Sequence, residues 1–250
     1  MTPTTLIVIP CYNEGLRLDT NAFLTYIKDT PDIGLLFVND GSKDNTAALL
    51  NTLDKTAPDR IAVLHLARNS GKAEAIRLGF QKGFKMKPVF MAYLDADLAA
   101  PLSCIKEMEA VMIRDRKDIV LGARIALLGH HVERQGARHY AGRLFATAAS
   151  MLLGIHVYDT QCGAKIFRVS DRLKQVFAAP FTVKWIFDVE VLARFIITPG
   201  LRVTEMAAEY PLQEWMDKKG SKLRLIDFVI SGLDLLKIMT ILRKKALPGA

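Results

Sequence analysis

The feature of the sequence that most constrains the fold is a regular alternation of apolar runs with amphipathic segments. Four runs, each followed by a segment with helical spacing, are "TLIVIP", "GLLFVND", "IAVLHLA" and "VFMAYLDA". Near-continuous apolar strands separated by helices are typical of a parallel sheet that is covered on both faces. We therefore predict an α/β protein with a mostly parallel, Rossmann-like sheet flanked by helices.

The second half of the chain follows a less regular pattern. "DIVLGAR" predicts a further strand, and "DTQCGAKIFR" predicts a turn that leads into a strand. "RHYAGRLFATAASMLLG" and "FDVEVLARFI" have helical spacing. Because neither an internal repeat nor a low-complexity linker separates the halves, we expect the second half to pack on the first sheet.

The most apolar long segment lies near the C-terminus, "LRLIDFVISGLDLLKIMTILRKK", and ends in basic residues. Asp227, Asp234 and Lys237 interrupt it, so it is too polar to cross a bilayer. Two interpretations remain open: a helix that packs on the core with a solvated end, and an amphipathic helix on a membrane surface. We accordingly divide the chain into a main domain, residues 1–222, and a C-terminal amphipathic helix with a basic tail, residues 223–250.

Charge and cysteine content narrow the environment and the partners. The formal net charge is +8, which suits nucleic acid, an anionic membrane surface or phosphorylated small molecules. The aromatic-plus-basic pattern of single-strand binders is absent, so nucleic acid is not a predicted partner. Three scattered cysteines show neither zinc spacing nor a disulfide framework, and we expect a reducing, cytoplasmic compartment.

Polar residues follow all four of the first predicted strands, as "PCYNEG", "NDGS", "ARNSGK" and "DAD". One such end is an ordinary turn or cap, but ligands of open parallel sheets bind beyond the carboxyl ends of the strands. The sequence contains neither G-x-G-x-x-G after the first strand nor a P-loop, which disfavours both of those nucleotide sites. Asp95 and Asp97 offer the hard oxygen ligands that suit Mg²⁺ or Mn²⁺ bound together with a substrate pyrophosphate.

Taken in order, "VIPCYNEG", "FVNDGSKDNT", "NSGKAEAIRLGF" and "YLDADLAAP" resemble the inverting family-2 glycosyltransferases, which have the GT-A fold. "LGAR", "DTQCGAKIFR", "WIFDVEVLAR" and "GSKLRLIDF" are similar to the dolichyl-phosphate β-glucosyltransferase branch, close to the dolichyl-phosphate mannose synthases. The resemblance implies a UDP-sugar donor, with UDP-glucose as the leading candidate, and a polyprenyl or dolichyl phosphate acceptor.

The resemblance also implies roles for individual residues. Those expected to bind the nucleotide-sugar are Pro10, Tyr12, Glu14, Asp40, Lys72 and Asp95. Asp97 is expected to bind the metal ion, Mg²⁺ or Mn²⁺. Ala99 stands where mannose-synthase relatives often have Gln, so metal binding is expected to be weaker or to depend on water and diphosphate.

The eukaryotic relatives carry an N-terminal membrane span that this sequence lacks. We therefore expect either peripheral contact with the inner, cytoplasmic face of a membrane or a different acceptor.

A lipid phosphate acceptor is ionised near neutral pH, so it needs positioning and cations rather than a strong base. Cations that fall along the stretch expected to contact it are Arg124, Arg134, Arg138, Arg143, Lys165 and Arg168. By analogy with the family, Arg124 and Arg138 are expected to grip the acceptor phosphate. For the remaining cations a solvated helix face is the alternative.

A hydroxyl acceptor, on a lipid or a surface glycan, is the alternative hypothesis, and it requires a general base. "FDVE" offers Asp188 and Glu190, although both also suit the N-terminus of a helix. We favour Asp188 for the catalytic site because the resembling family shares this stretch. It would act as the base, or it would position the sugar hydroxyls or the acceptor.

Overall fold

The structure is a computed structural model that describes residues 2–133, 136–216 and 225–246. The side chains of 133, 136–141, 225–230 and 244–246 lie outside that description. The strands are β1 (Thr5–Cys11), β2 (Ile33–Asn39), β3 (Ile61–His65), β4 (Phe90–Leu94), β5 (Ile119–Ala123), β6 (His131–Glu133), β7 (Ala164–Arg168), β8 (Ala207–Pro211) and β9 (Glu214–Met216). The helices are α1 (Thr20–Asp29), α2 (Thr46–Thr56), α3 (Lys72–Phe84), α4 (Cys104–Arg114), α5 (Gly136–Leu153), α6 (Asp171–Val176), α7 (Phe187–Ile197), α8 (Val203–Met206) and α9 (Leu225–Ala246).

Seven strands form one sheet in the order β3-β2-β1-β4-β7-β5-β8, and β6 pairs with β9 in a separate ribbon. The main sheet is parallel except for β7, which runs antiparallel between β4 and β5. The predicted fold class is confirmed, and each quoted apolar run forms a strand. Sequence order did not reveal that β7 would insert between two parallel strands, because periodicity identifies a strand but not its partners.

The sheet separates two apolar cores, because successive side chains of a strand point to opposite faces. Leu6 and Val8 of β1 pack on one face with Phe80 of α3. Ile7 packs on the other face with Phe23 of α1. Strands buried on both faces account for the near-continuous apolar runs in the sequence.

Helix α9 packs against α7 and α5 with an unusual distribution of side chains. It buries Ser231, Asp234 and Ile238, while Leu233 and Leu236 are exposed. Among the described helices, none combines the length and the apolar character that a bilayer-spanning helix needs. The predicted boundary between 222 and 223 lies outside the described residues, and the division into two domains stays a prediction.

Candidate active site

The carboxyl ends of the parallel strands meet at one edge of the sheet, and Asp40 organises part of that edge. Asp40 follows β2 and is buried. One of its carboxylate oxygens accepts a hydrogen bond from the backbone N–H of Ser70 at 2.7 Å, and the other accepts one from Gly71 at 2.8 Å. Asp40 therefore fixes the loop that begins α3. Its predicted contact with the nucleotide stays a prediction.

Lys72, the first residue of α3, reaches the end of β4. Its Nζ lies 2.5 Å from Oδ1 of Asp95, and the two side chains are 41% and 31% exposed. Burial works against the charge of Lys72, but the carboxylates of Asp95 and Asp188 outweigh it and raise the pKa of the lysine. The pair thus places one positive and one negative charge at the surface of the edge.

Asp97 brings a second carboxylate to the same turn. Burial and then the charge of Asp95 raise the pKa of Asp97, while the backbone N–H of Ala99 donates to its Oδ1 at 3.1 Å. Asp95 and Asp97 carry two carboxylates, and the ion pair with Lys72 involves only Asp95. Such a pair of acids suits a divalent cation that also binds water and phosphate oxygens. Among the described residues no group of three or more His, Cys, Asp or Glu is arranged to hold a metal ion. Protein ligands would therefore be few.

A glycine shapes the space beside Asp95. Gly163 precedes β7, whose Ala164 pairs with Leu94 at the end of β4. A Cβ atom at residue 163 would collide with the Asp95 carboxylate. The "DTQCG" stretch thus supplies a position without a side chain, and this lets Asp95 sit against the backbone.

The end of β1 and the loop after it carry three further residues predicted to bind the nucleotide: Pro10, Tyr12 and Glu14. The backbone N–H of Glu14 donates to Oγ1 of Thr46 at 2.8 Å, and its Oε1 accepts from Arg17 at 2.7 Å. The bond to Thr46 ties the loop to the start of α2, and the contact with Arg17 stays within the loop. The structure brings the three residues to the same edge as Asp40, and their contact with the base and ribose stays a prediction.

Arg124 lies where β5 ends at this edge, and its guanidinium is held by protein groups. Its Nε and Nη2 donate to the two carboxylate oxygens of Asp159 at 2.6 and 2.8 Å, and it lies over the Trp215 ring. Burial opposes the charge of Asp159, but Arg124 lowers the pKa of that carboxyl to about 2. The predicted role of Arg124 in acceptor-phosphate binding stays a prediction, now with Asp159 as its anchor.

Two of the cations expected near the acceptor are elsewhere. Arg168 pairs in register with Phe90, at the start of β4, and binds Asp118 at 3.1 Å on the opposite edge. Lys165 is buried beneath the site rather than presented to a ligand. Arg168 is misplaced because β7 is antiparallel and short, so residues three apart lie at opposite ends of the strand. Lys165 lies near the site, but its burial keeps it from presenting a charge to an acceptor phosphate.

Of the other predicted cations, Arg143 lies over the ring of Tyr158, 3.7 Å from its centroid. Arg134 lies outside the described residues. Arg138 belongs to α5, and its side chain lies outside the described part of the structure, so its role in binding the acceptor phosphate stays a prediction.

The acids of "FDVE" have different surroundings. The carboxylate of Glu190 accepts hydrogen bonds from the backbone N–H groups of Thr182 and Val183 and from Arg194, so it braces a loop. The Asp188 carboxylate, also buried, accepts at Oδ1 from Lys165 Nζ at 2.6 Å and from the Tyr93 hydroxyl.

Sequence reasoning missed the roles of Tyr93, Asp159 and Gly163. Only Tyr93 carried a local signal, because it stands two residues before Asp95 and so shares its face of the strand.

The fold and this acidic edge define a glycosyltransferase of the GT-A class. The family model described as "Glycosyl transferase family 2" matches residues 6–173. The chain belongs to that family, and it is an enzyme of the glycosyltransferase type.

Relatives and solved structures agree with this assignment. A dolichyl-phosphate beta-glucosyltransferase of Trichomonas vaginalis is 29% identical, covering 94% of this chain and 70% of the relative. A polyprenol monophosphomannose synthase of Mycolicibacterium smegmatis is 27% identical, covering 92% and 86%. The Mycobacterium tuberculosis glucosyl-3-phosphoglycerate synthase, solved with Mn²⁺, UDP and glucosyl-3-phosphoglycerate, has a TM-score of 0.63 at 16% identity, covering 99% and 82%. That similarity concerns the fold.

Proposed function

We propose that this protein transfers glucose from UDP-glucose to a polyprenyl or dolichyl phosphate, with inversion at the anomeric carbon and with the help of Mg²⁺ or Mn²⁺. The observation that carries the proposal is the group of Lys72, Asp95 and Asp97 at the carboxyl edge of the sheet. The names of the relatives support glucose and a dolichyl phosphate, and the Mn²⁺–UDP complex of the solved neighbour supports the donor and the ion.

The donor side follows from the charges at this edge. Asp97, with Asp95 beside it, would hold the divalent ion, and water and the diphosphate would complete its ligands. When bound, the ion supplies positive charge to the departing diphosphate. Lys72 is half-exposed, so its ammonium can exchange Asp95 for a phosphate oxygen or contact both. Ala99 provides no side-chain ligand two residues after Asp97, which fits an ion held in large part by the substrate.

The acceptor side favours an ionised nucleophile. An oxygen of the lipid phosphate attacks the anomeric carbon as the bond from that carbon to the UDP oxygen breaks, and no proton has to be removed. A hydroxyl acceptor would need a base, and Oδ1 of Asp188, the favoured candidate, already accepts hydrogen bonds from Lys165 and Tyr93, which leaves only Oδ2 for that role. The phosphate acceptor is therefore the better match to this arrangement.

We place a peripheral membrane surface on α5 and α9. Leu144 and Met151 on α5 and Leu233 and Leu236 on α9 expose large apolar side chains, and the two helices are in contact. A helix that buries Asp234 and exposes leucines is suited to an apolar exterior, and its basic end adds attraction to anionic lipid, roughly 1 kcal/mol for each basic residue near the surface.

The test of the reaction is UDP release from UDP-glucose with polyprenyl phosphate and Mn²⁺. Polyprenol, which has the same chain and a hydroxyl in place of the phosphate, is the matched acceptor control. The proposal predicts release that requires both the phosphate and the ion. Equal release with polyprenol, or release without any acceptor, would contradict it.

The test of the membrane surface is flotation with anionic and neutral vesicles. Leu236→Glu should weaken association with anionic vesicles. Ile113→Glu is the control, because Ile113 is 57% exposed on α4, at the other face of the sheet, and Leu236 is 55% exposed. Equal loss in the two variants, or no flotation of the wild type, would count against this surface.

A further inference from the structure

A charged pair lies buried directly beneath the proposed donor site. Lys165 of β7 donates from Nζ to Oδ1 of Asp188 at 2.6 Å and to the carbonyl of Cys162 at 2.6 Å. The side chains of Lys165 and Asp188 are 1% and 6% exposed. The hydroxyl of Tyr93 donates to the same carboxylate oxygen. Residues from β4, β7 and α7 thus converge on one atom.

The strand register connects this pair to the active edge. Tyr93 lies opposite Lys165 in the antiparallel ladder of β4 and β7. Asp95 follows two residues later, just past the end of β4, and continued strand geometry puts it on the same side of the sheet, roughly 7 Å away. Gly163, two residues before Lys165, is the position whose missing side chain makes room for Asp95. The buried pair therefore lies next to the Asp95 carboxylate, which contacts Lys72, on the side towards the core.

Stability alone is a weak reason for such a pair. Desolvating two charges offsets much of their attraction, and apolar residues of similar volume are often as stable in the same place. The surroundings are apolar and aromatic, with Phe167 and Phe187 next to Tyr93, and would accept such residues. What the pair does supply is a carboxylate fixed in one orientation.

We propose that Lys165 and Tyr93 are positioning residues that hold Asp188 to accept a hydrogen bond from a hydroxyl of the donor sugar. Oδ1 is occupied by the two buried donors, whereas Oδ2 makes no hydrogen bond to any described residue. A fixed carboxylate with one uncommitted oxygen is suited to bind a sugar hydroxyl through that oxygen. The inference rests on the proposed function, since it requires a nucleotide-sugar at the edge above.

The first test compares UDP with UDP-glucose, because only the latter carries the sugar. Tyr93→Phe removes one hydroxyl and retains the ring. Calorimetry should give a UDP affinity within about twofold of the wild type and a roughly tenfold loss for UDP-glucose. Tyr26→Phe is the matched control, because the Tyr26 hydroxyl is buried on the other face of the sheet without a hydrogen-bond partner among the described residues. It should change neither affinity.

The second test asks whether Lys165 acts through Asp188. Asp188→Asn and the double variant Lys165→Met/Asp188→Asn both remove the buried negative charge, and the double variant leaves no unpaired charge. If Lys165 only positions Asp188, the double variant should lose no more UDP-glucose affinity than Asp188→Asn does.

Three results would overturn the inference: UDP and UDP-glucose affinities that fall together in Tyr93→Phe, an unchanged UDP-glucose affinity in that variant, or losses that multiply in the double variant. A wild type that binds UDP-glucose but shows no turnover with polyprenyl phosphate would overturn the proposed acceptor alone, because the binding comparison needs no acceptor.

Discussion

Two lysine–aspartate pairs of the site have nearly equal nitrogen–oxygen distances, but one lies at the surface and the other is buried beneath it. Lys72 and Asp95 lie 2.5 Å apart at the surface, and Lys165 and Asp188 lie 2.6 Å apart in the core. The surface pair is partly exposed to solvent, so under the proposed function it can change partners when a diphosphate binds. The buried pair has no such freedom, because the Lys165 ammonium and Oδ1 of Asp188 are held by buried protein groups. Burial, rather than residue type or distance, distinguishes the pair that we propose binds the ligand from the pair that we propose fixes geometry.

Replacing each lysine by methionine gives the largest expected difference between the pairs. Lys165→Met leaves the Asp188 charge buried and unpaired, and it should reduce the free energy of unfolding by about 3–5 kcal/mol. Lys72→Met removes half-exposed charge and should cost less than about 1 kcal/mol. Urea denaturation of both variants measures the difference. Equal destabilisation would mean that burial does not distinguish the Lys165–Asp188 pair from the Lys72–Asp95 pair.

The Arg124–Asp159 pair provides a pH-dependent comparison with an effect of intermediate size. The pKa of Asp159 is about 2 in the folded protein and 3.8 in its ordinary state, so the unfolded chain binds more protons between these values. Stability from this pair is complete above pH 3.8 and is lost as the pH falls towards 2, a contribution of roughly 2 kcal/mol.

The measurement is denaturant unfolding from pH 6 to pH 2.5 in the wild type and in Asp159→Asn. The stability difference between the two proteins should shrink as the pH falls. A difference that is constant with pH would show that Asp159 does not titrate in this way.

The smallest expected effect concerns the space beside Asp95. Gly163→Ala introduces a methyl group that would collide with the Asp95 carboxylate, so this side chain must move. We expect a roughly tenfold loss of UDP-glucose affinity with little loss of stability. In an Asp95→Ala background the same change should have no further effect. A further loss there would place the effect of Gly163 elsewhere, for example in the backbone of β7.

The sequence predicted the secondary structure and the residues at the strand ends better than the buried contacts beneath them. Apolar runs and helical spacing are local, so they predicted β1 to β5 and the helices between them. The polar ends of those strands led to Asp40, Lys72, Asp95 and Asp97, because parallel topology brings such ends to one edge.

The contacts of Lys165 could not be predicted in that way. Its partners Tyr93 and Asp188 are 72 and 23 residues away, and nothing in "CGAKIFR" distinguishes a buried lysine from a solvated one. Arg168, three residues further on, was misplaced for a related reason: the direction of β7 depends on its neighbours in the sheet.

A calorimetric titration of UDP into the protein with and without Mn²⁺, repeated with Asp97→Asn, tests most directly whether the acidic edge binds a metal ion. If the acidic edge holds a divalent ion that in turn binds the diphosphate, Mn²⁺ should tighten UDP binding at least about tenfold in the wild type and have little effect in the variant. A UDP affinity that is the same with and without Mn²⁺, or an equal gain in Asp97→Asn, would show that Asp97 holds no such ion.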